Sequence, residues 1–278
     1  TRANHAMAPV KFDDIPKGAT EVLNDDYQVS GYQFKAKQKT SFNGAIATTA
    51  VDMFTGAAVQ TPAKITWKFP TFGVAGLCVD KLELDKAGKM ALEVSAGKAS
   101  HKVDGLTLTA KSDLVAPEKA VAALTYTGVK DMQIKFDTKP LNVTDFSLEV
   151  TGAVQQLTFG AKCGMKNLTA PDVGARFSSG PFFMAMMGKE QFGKWGLYGS
   201  YKAMDALKFA GSCELGAQPK YCAGLSYEVV KGTKLRAKVL KDKSQALCAS
   251  MKHDLSKGFT VLAGGKFEPA TGKSSIGV

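Results

Sequence analysis

Along nearly the whole of this chain, apolar residues fall at every second position and polar or cationic residues lie between them. In residues 31–39, Tyr32, Phe34 and Ala36 are apolar, whereas Gln33, Lys35, Lys37 and Lys39 are polar. Successive side chains of a strand project to opposite faces, so this period predicts strands with an apolar medium on one side and water on the other. Residues 63–69 repeat the pattern between Pro62 and Pro70, and Met90, Leu92 and Val94 alternate with Lys89, Glu93 and Ser95. Met132, Ile134 and Phe136 alternate with Gln133, Lys135 and Asp137, and Leu235, Ala237 and Val239 with Lys234, Arg236 and Lys238. Turn signals such as Lys231-Gly232 separate neighbouring runs, and such short links join antiparallel neighbours.

Dividing roughly 250 residues by about 13 per strand and turn predicts about 19 strands, of the length a tilted membrane strand needs. The alternation alone leaves two architectures, a membrane β-barrel or a soluble two-sheet protein. The apolar face is rich in Ala and Gly and poor in the large aliphatic stacks that fill a sandwich core, which favours the barrel. One segment departs from this period. In residues 12–26, Ile15, Ala19, Val22 and Leu23 recur at helical spacing with acids and Lys17 on the other face, predicting an amphipathic helix with Asp13 or Asp14 as its cap.

Composition narrows the chemistry. No run approaches the roughly 18 apolar residues of a transmembrane helix, which leaves barrels open. The 36 Lys+Arg against 25 Asp+Glu give a net charge of +11, suited to an anionic partner. Cys78, Cys163, Cys213, Cys222 and Cys248 are odd in number and widely spaced, so neither a disulfide framework nor a zinc site is expected. No cofactor is expected. His5, His101 and His253 are far apart, and no phosphate-binding loop or nucleophile elbow occurs, so nothing supports an enzyme. Most aromatic residues lie opposite the basic ones, which argues against nucleic acid as a primary partner.

The polar faces collect Lys35, Lys37, Lys39, Lys64, Lys68, Lys89, Lys111, Lys135, Lys194, Lys202, Lys208, Lys234, Arg236, Lys238 and Lys266. Acids on those faces are fewer: Glu93, Asp137, Glu149, Glu214 and Glu228. If that face lines water, it concentrates anions and repels cations, with the acids keeping the preference modest.

At these residues the chain resembles the mitochondrial porins, the voltage-dependent anion channel (VDAC) family, from Met7 to Val278. Residues 12–27 resemble the family's amino-terminal helix and its lead into the first strand, and residues 195–215 its thirteenth and fourteenth strands. Tyr227, Thr233, Ala237, Lys238, Val239, Ala246 and Leu247 fall at the spacing of the eukaryotic porin signature. The resemblance implies a 19-stranded transmembrane β-barrel with the helix inside the lumen, a count known for this channel. It implies a voltage-gated, weakly anion-selective pore passing ATP, ADP, phosphate and small ions across the mitochondrial outer membrane.

On that reading Lys17 and the wall lysines form the anion path, and Phe12, Asp14, Ile15, Lys17, Glu21, Val22 and Leu23 belong to a gating helix. Membrane lipid, the permeant anions, further copies of the chain and a cytosolic kinase are the implied partners. Residues 1–6 read as a leader or remnant before Met7, 7–26 as the helical segment and 27–278 as the barrel.

Departures from the family pattern include Val230, Lys231, Leu240 and Lys241 within the signature, Thr20 where many relatives carry a basic residue, and the added acids Asp25 and Asp26. Cys78 stands nearest to the family's membrane-facing glutamate, with Asp80 two residues on, so both are expected to face lipid. Against the family pattern, the final residues, 274–278, are expected to fall several residues short of a full last strand, with the sorting signal expected there truncated. A protein-import barrel of the same membrane, or a soluble basic all-β binding protein, are the alternative readings.

Overall fold

Pro16 cuts the amino-terminal amphipathic stretch in two. The computed structural model describes residues 9–40, 44–53, 63–70, 76–256 and 259–278, so the expected leader at residues 1–6 lies outside the described residues. Phe12–Asp14 form a 3-10 turn, and the α-helix α1 spans only Lys17–Asn24. Pro16 has no N–H and acts as the N-cap, its carbonyl accepting from Ala19 and Thr20 N–H at 3.0 and 3.1 Å. The expected Asp13 or Asp14 cap is therefore corrected: no side chain caps α1, because the helix begins after both aspartates. Asp25 is extended and Asp26 takes a left-handed φ of 57°, a conformation Asp tolerates better than most residues, and the chain turns out of the helix there.

Beyond the helix, alternation becomes strand. Two units make up the chain: residues 1–32, 152–161 and 169–278, and residues 33–151 with 162–168. The second unit holds nearly all of β1 (Tyr32–Lys39), then β2 (Ile46–Met53), β3 (Ala63–Phe69), β4 (Leu77–Asp85), β5 (Met90–Ala96) and β6 (Leu106–Asp113). It continues with β7 (Val121–Tyr126), β8 (Met132–Lys139), most of β9 (Asn142–Val154) and the end of β10 (Leu157–Gly164). The first unit holds α1, β11 (Asp172–Ser179), β12 (Phe182–Lys189), β13 (Lys194–Lys202), β14 (Leu207–Leu215) and β15 (Lys220–Val230). It ends with β16 (Thr233–Lys241), β17 (Gln245–Ser256), β18 (Phe259–Glu268) and β19 (Lys273–Gly277).

Among the described residues these strands form one 19-stranded sheet. Neighbours in sequence pair antiparallel, and Gly31, just before β1, makes a parallel bridge to Gly277 of β19. Val278 N–H donates to the Gly31 carbonyl at 2.9 Å across that seam.

The register turns the period of two into two chemically different faces. In the first unit Tyr201, Phe209, Leu225, Ala237 and Ala249 follow one another across β13–β17. On the opposite face the row runs Ser200, Ala210, Gly224, Lys238, Cys248. In the second unit Leu108, Leu124 and Phe136 form an apolar row, and Glu93 stands across from Lys111 on the polar face. Large residues of the apolar face stay open, among them Phe209 and Tyr221 at 43% and 45% exposure. So wide an open apolar surface fits a wall bathed in lipid, and no helix among the described residues is long and apolar enough to cross a membrane.

Candidate functional site: a helix held on the polar face

The helix buries its apolar side against the polar face of β12–β15. Phe12 and Ile15, both fully buried, pack with Ala185 and Met187; Ala19, Val22 and Leu23 pack with Ala210. Phe183 and Tyr198 border both clusters. The receiving strand is written unlike the rest. β12 reads Phe-Phe-Met-Ala-Met-Met-Gly-Lys, apolar on both faces, with Met184 and Met186 open on one side while Ala185 and Met187 receive the helix on the other. That doubly apolar run is the signal in the sequence that locates the docking strand.

Backbone approach is close. A Cβ on Gly18 would lie 2.7 Å from the Phe183 ring, and one on Gly174 would lie 2.9 Å from Ile15 Cδ1. Ser200 Oγ donates to the Gly18 carbonyl at 3.1 Å, fixing the same turn. Gly18→Ala should therefore push α1 off Phe183, although alanine is the better helix former. The expected result is a net loss of about 1–2 kcal/mol, read as a lower unfolding midpoint and faster amide exchange in α1.

At the other end the wall caps the helix. The last carbonyls of a helix lack intrahelical partners and carry partial negative charge. Arg236 Nη1 donates to the carbonyls of Glu21 at 2.5 Å and Asp25 at 2.7 Å, and Lys238 Nζ donates to the Leu23 carbonyl at 2.5 Å. Asp26 pairs with Arg236 at 3.1 Å and with Lys252 at 3.2 Å. Tyr27 closes the end: its hydroxyl donates to the Val22 carbonyl at 3.4 Å, and Lys238 Nζ sits 4.2 Å from its ring centroid. Burial pushes the Tyr27 phenol up to about 12, so the ring is neutral at physiological pH.

Arg236 and Lys238 alternate on one strand and thus share a face, and Lys252 stands one strand over, across from Lys234. Both expected anion-path residues are therefore engaged in holding the helix. Lys252, Tyr27 and Asp26 complete the assembly, and none of the three is in the list that alternation supplied. Arg176, also missed, donates from Nε to Thr158 Oγ1 at 3.3 Å and lies within electrostatic reach of Asp14.

The remaining candidates divide. Lys202 pairs with Asp205 at 2.7 Å in the following turn, and that hydrogen bond holds the Asp205 carboxyl below its usual range. Lys194 pairs with Glu190, Lys234 with Glu228 and Lys266 with Glu268. Lys64 and Lys68 pair with Glu83 and Asp80, Lys111 with Glu93, and Lys135 with Asp137. Lys17, Lys37, Lys39 and Lys208 meet no carboxylate within 4.0 Å among the described residues; the Lys35 side chain lies outside them.

Lys89 is not a wall residue: it sits in the β4–β5 turn, where Asp85 accepts from the Ala87 and Lys89 N–H groups. All five cysteines are free thiols.

The expectation that Cys78 and Asp80 face lipid is corrected. In the β4–β5 pairing the register shifts between Val79 and Lys81, where an extra residue bulges the strand. Beyond a bulge the alternation changes parity. Val79 and Leu82 consequently both face the apolar side, across from Val94 and Leu92, whereas Cys78 stands opposite Ser95. Asp80 pairs with Lys68 at 3.1 Å, and the Cys78 thiol donates to the Pro70 carbonyl at 2.7 Å.

A 19-stranded sheet with one lipid-type face, one polar face and a helix bound to the polar side defines a porin-type β-barrel pore. The chain belongs to the eukaryotic porin family, whose model matches residues 8–277. Among solved structures it is similar to a mutant of Rh. blastica porin, with 10% identity, 88% of this chain and 96% of that one covered, and a TM-score of 0.50. A loop-deletion mutant of OmpT, an outer membrane protein of Vibrio cholerae, aligns with 9% identity over 90% of this chain and 94% of that one, at a TM-score of 0.39. No curated protein sequence matches the chain. Family and fold are of the channel type.

Proposed function

We propose that this porin is a voltage-gated, weakly anion-selective diffusion pore passing ATP, ADP, phosphate and small ions across the mitochondrial outer membrane. The observation that carries the reading is the charged helix bound on the basic polar face. A helix with Lys17, Glu21 and its aspartates beside a pore moves charge if it shifts, and a transmembrane voltage acts on moved charge. Lys17, Lys37, Lys39 and Lys208, unmatched by carboxylates among the described residues, supply the positive potential that attracts anions.

Purified protein in a planar bilayer under a potassium chloride gradient should give a large conductance. Its reversal potential should favour chloride, and the conductance should fall at both signs of voltage. Cation preference would overturn the reading in favour of a protein-import barrel. Liposomes that take up the protein yet stay closed to nucleotides would overturn it as well.

A further inference from the structure

Among the described residues, the apolar rows of β11–β19 carry one lysine and no arginine. Lys241, one of the positions at which the chain departs from the family signature, ends β16 on the face of Ala237 and Val239, in register with Tyr221 and Gln245. It is exposed and meets no carboxylate within 4.0 Å among the described residues, and Lys243 is exposed in the following turn. The acid between them, Asp242, is held by Lys220 at 3.3 Å, and Lys220 stands across from Glu214 on the polar face. Trp195 and Tyr221, each the second residue of its strand, lie on the apolar face at this same end. Such rings mark the level of the lipid headgroups. Inward of Lys241 the wall is hollowed by a groove of about 820 Å³. Ala237, Ala249 and Gly265 follow one another across β16–β18 as its floor, with Leu225, Leu247 and Phe267 at its sides. Val239, two residues from Lys241, lines its margin, so cation and groove adjoin.

We propose that Lys241 and this groove form a site for one anionic phospholipid, with the headgroup phosphate against Lys241 and Lys243 and an acyl chain along Ala237, Ala249 and Gly265. The occupant is a lipid because the face opens onto the bilayer. A hollow without large side chains leaves its wall atoms short of contacts unless a flexible hydrocarbon fills it. The headgroup is anionic because a lysine in an apolar row is costly unless it reaches the interface and finds a partner, and the one adjacent carboxylate is already bound to Lys220. The Tyr221 hydroxyl and the Gln245 amide, flanking Lys241, are further donors for phosphate oxygens. The site lies on the outer wall and is independent of ion selectivity.

The test is native mass spectrometry of the full chain in detergent micelles carrying equal amounts of phosphatidylglycerol and phosphatidylcholine. The parent should retain one phosphatidylglycerol about fivefold more often than one phosphatidylcholine, and Lys241→Gln should remove most of that preference. Lys231→Gln, in the turn at the other end of β16, should keep it. Ala249→Phe fills the floor from the outside, where the fold has no packing to disturb, and should lower the retention of both lipids. Equal retention of the two lipids by the parent, or a preference that survives Lys241→Gln, would overturn the headgroup site. Unchanged retention in Ala249→Phe would overturn the acyl groove. A dimer without bound lipid, lost on Ala249→Phe, would overturn the proposal in favour of a second copy of the chain as the occupant.

Discussion

Replacing Arg236 by glutamine should free the carboxyl-terminal end of the amino-terminal helix while leaving the sheet intact. One guanidinium reaches the carbonyls of Glu21 and Asp25 and the carboxylate of Asp26, and its side chain is only 13% exposed. Glutamine can keep at most one of these bonds. The loss, two charge-assisted hydrogen bonds and one largely desolvated ion pair, amounts to about 2–4 kcal/mol of helix docking. Amide exchange should accelerate through residues 17–26 with little change in β6–β8, and the unfolding midpoint in detergent should fall. In a bilayer the voltage needed to lower conductance should decrease, because less work separates helix from wall. Lys252→Gln provides the comparison: that lysine is 34% exposed and bonds only Asp26 in this network, so it should cost less than about 1 kcal/mol. Equal effects from the two substitutions would show that Arg236 does not hold the helix end.

Truncating Phe12 and Ile15 to alanine should unseat the other end. Both side chains are fully buried against Ala185 and Met187. Each truncation removes large apolar contact and leaves a gap that a rigid strand wall cannot collapse to fill, at about 3 kcal/mol apiece. The two share neighbours, so the double variant should cost less than the sum. A protease should then cut within residues 12–26, strand content by circular dichroism should stay unchanged, and gating should lose steepness if the docked helix carries the gating charge. Retained protection of residues 12–26 in the double variant would mean that the Arg236 cluster alone secures the helix.

The architecture was largely legible because its causes are local. A period of two needs only neighbouring residues to be read, and it places Leu235, Ala237 and Val239 opposite Lys234, Arg236 and Lys238, as the β16 register does. The helix face was legible for the same reason: Ile15, Ala19, Val22 and Leu23 are buried as a period of 3.6 requires. Two local errors had local causes too. Pro16 shortened the helix, and the Asp85 side chain drew Lys89 into a turn.

Other features escape any local pattern. The bulge at Asp80 inserts one residue whose only trace is a register shift against a partner strand, and it turns Cys78 from the apolar to the polar side. Charge along the sequence marks Arg236 and Lys238 as cations facing water, yet their partners are carbonyl groups of Glu21 and Leu23, 215 residues away in the chain.

The sequence by itself determined the alternation of apolar and polar faces away from the β4 bulge and which stretch is helical, since each follows from periodicity over fewer than a dozen residues. The count of about 19 strands came from chain length, in agreement with the family resemblance. Only the tertiary structure decided which cations bind the helix, which are cancelled by acids and which stay unmatched. Those outcomes depend on register and on distances of 2.5–4 Å between groups that the chain keeps far apart until its strands have paired.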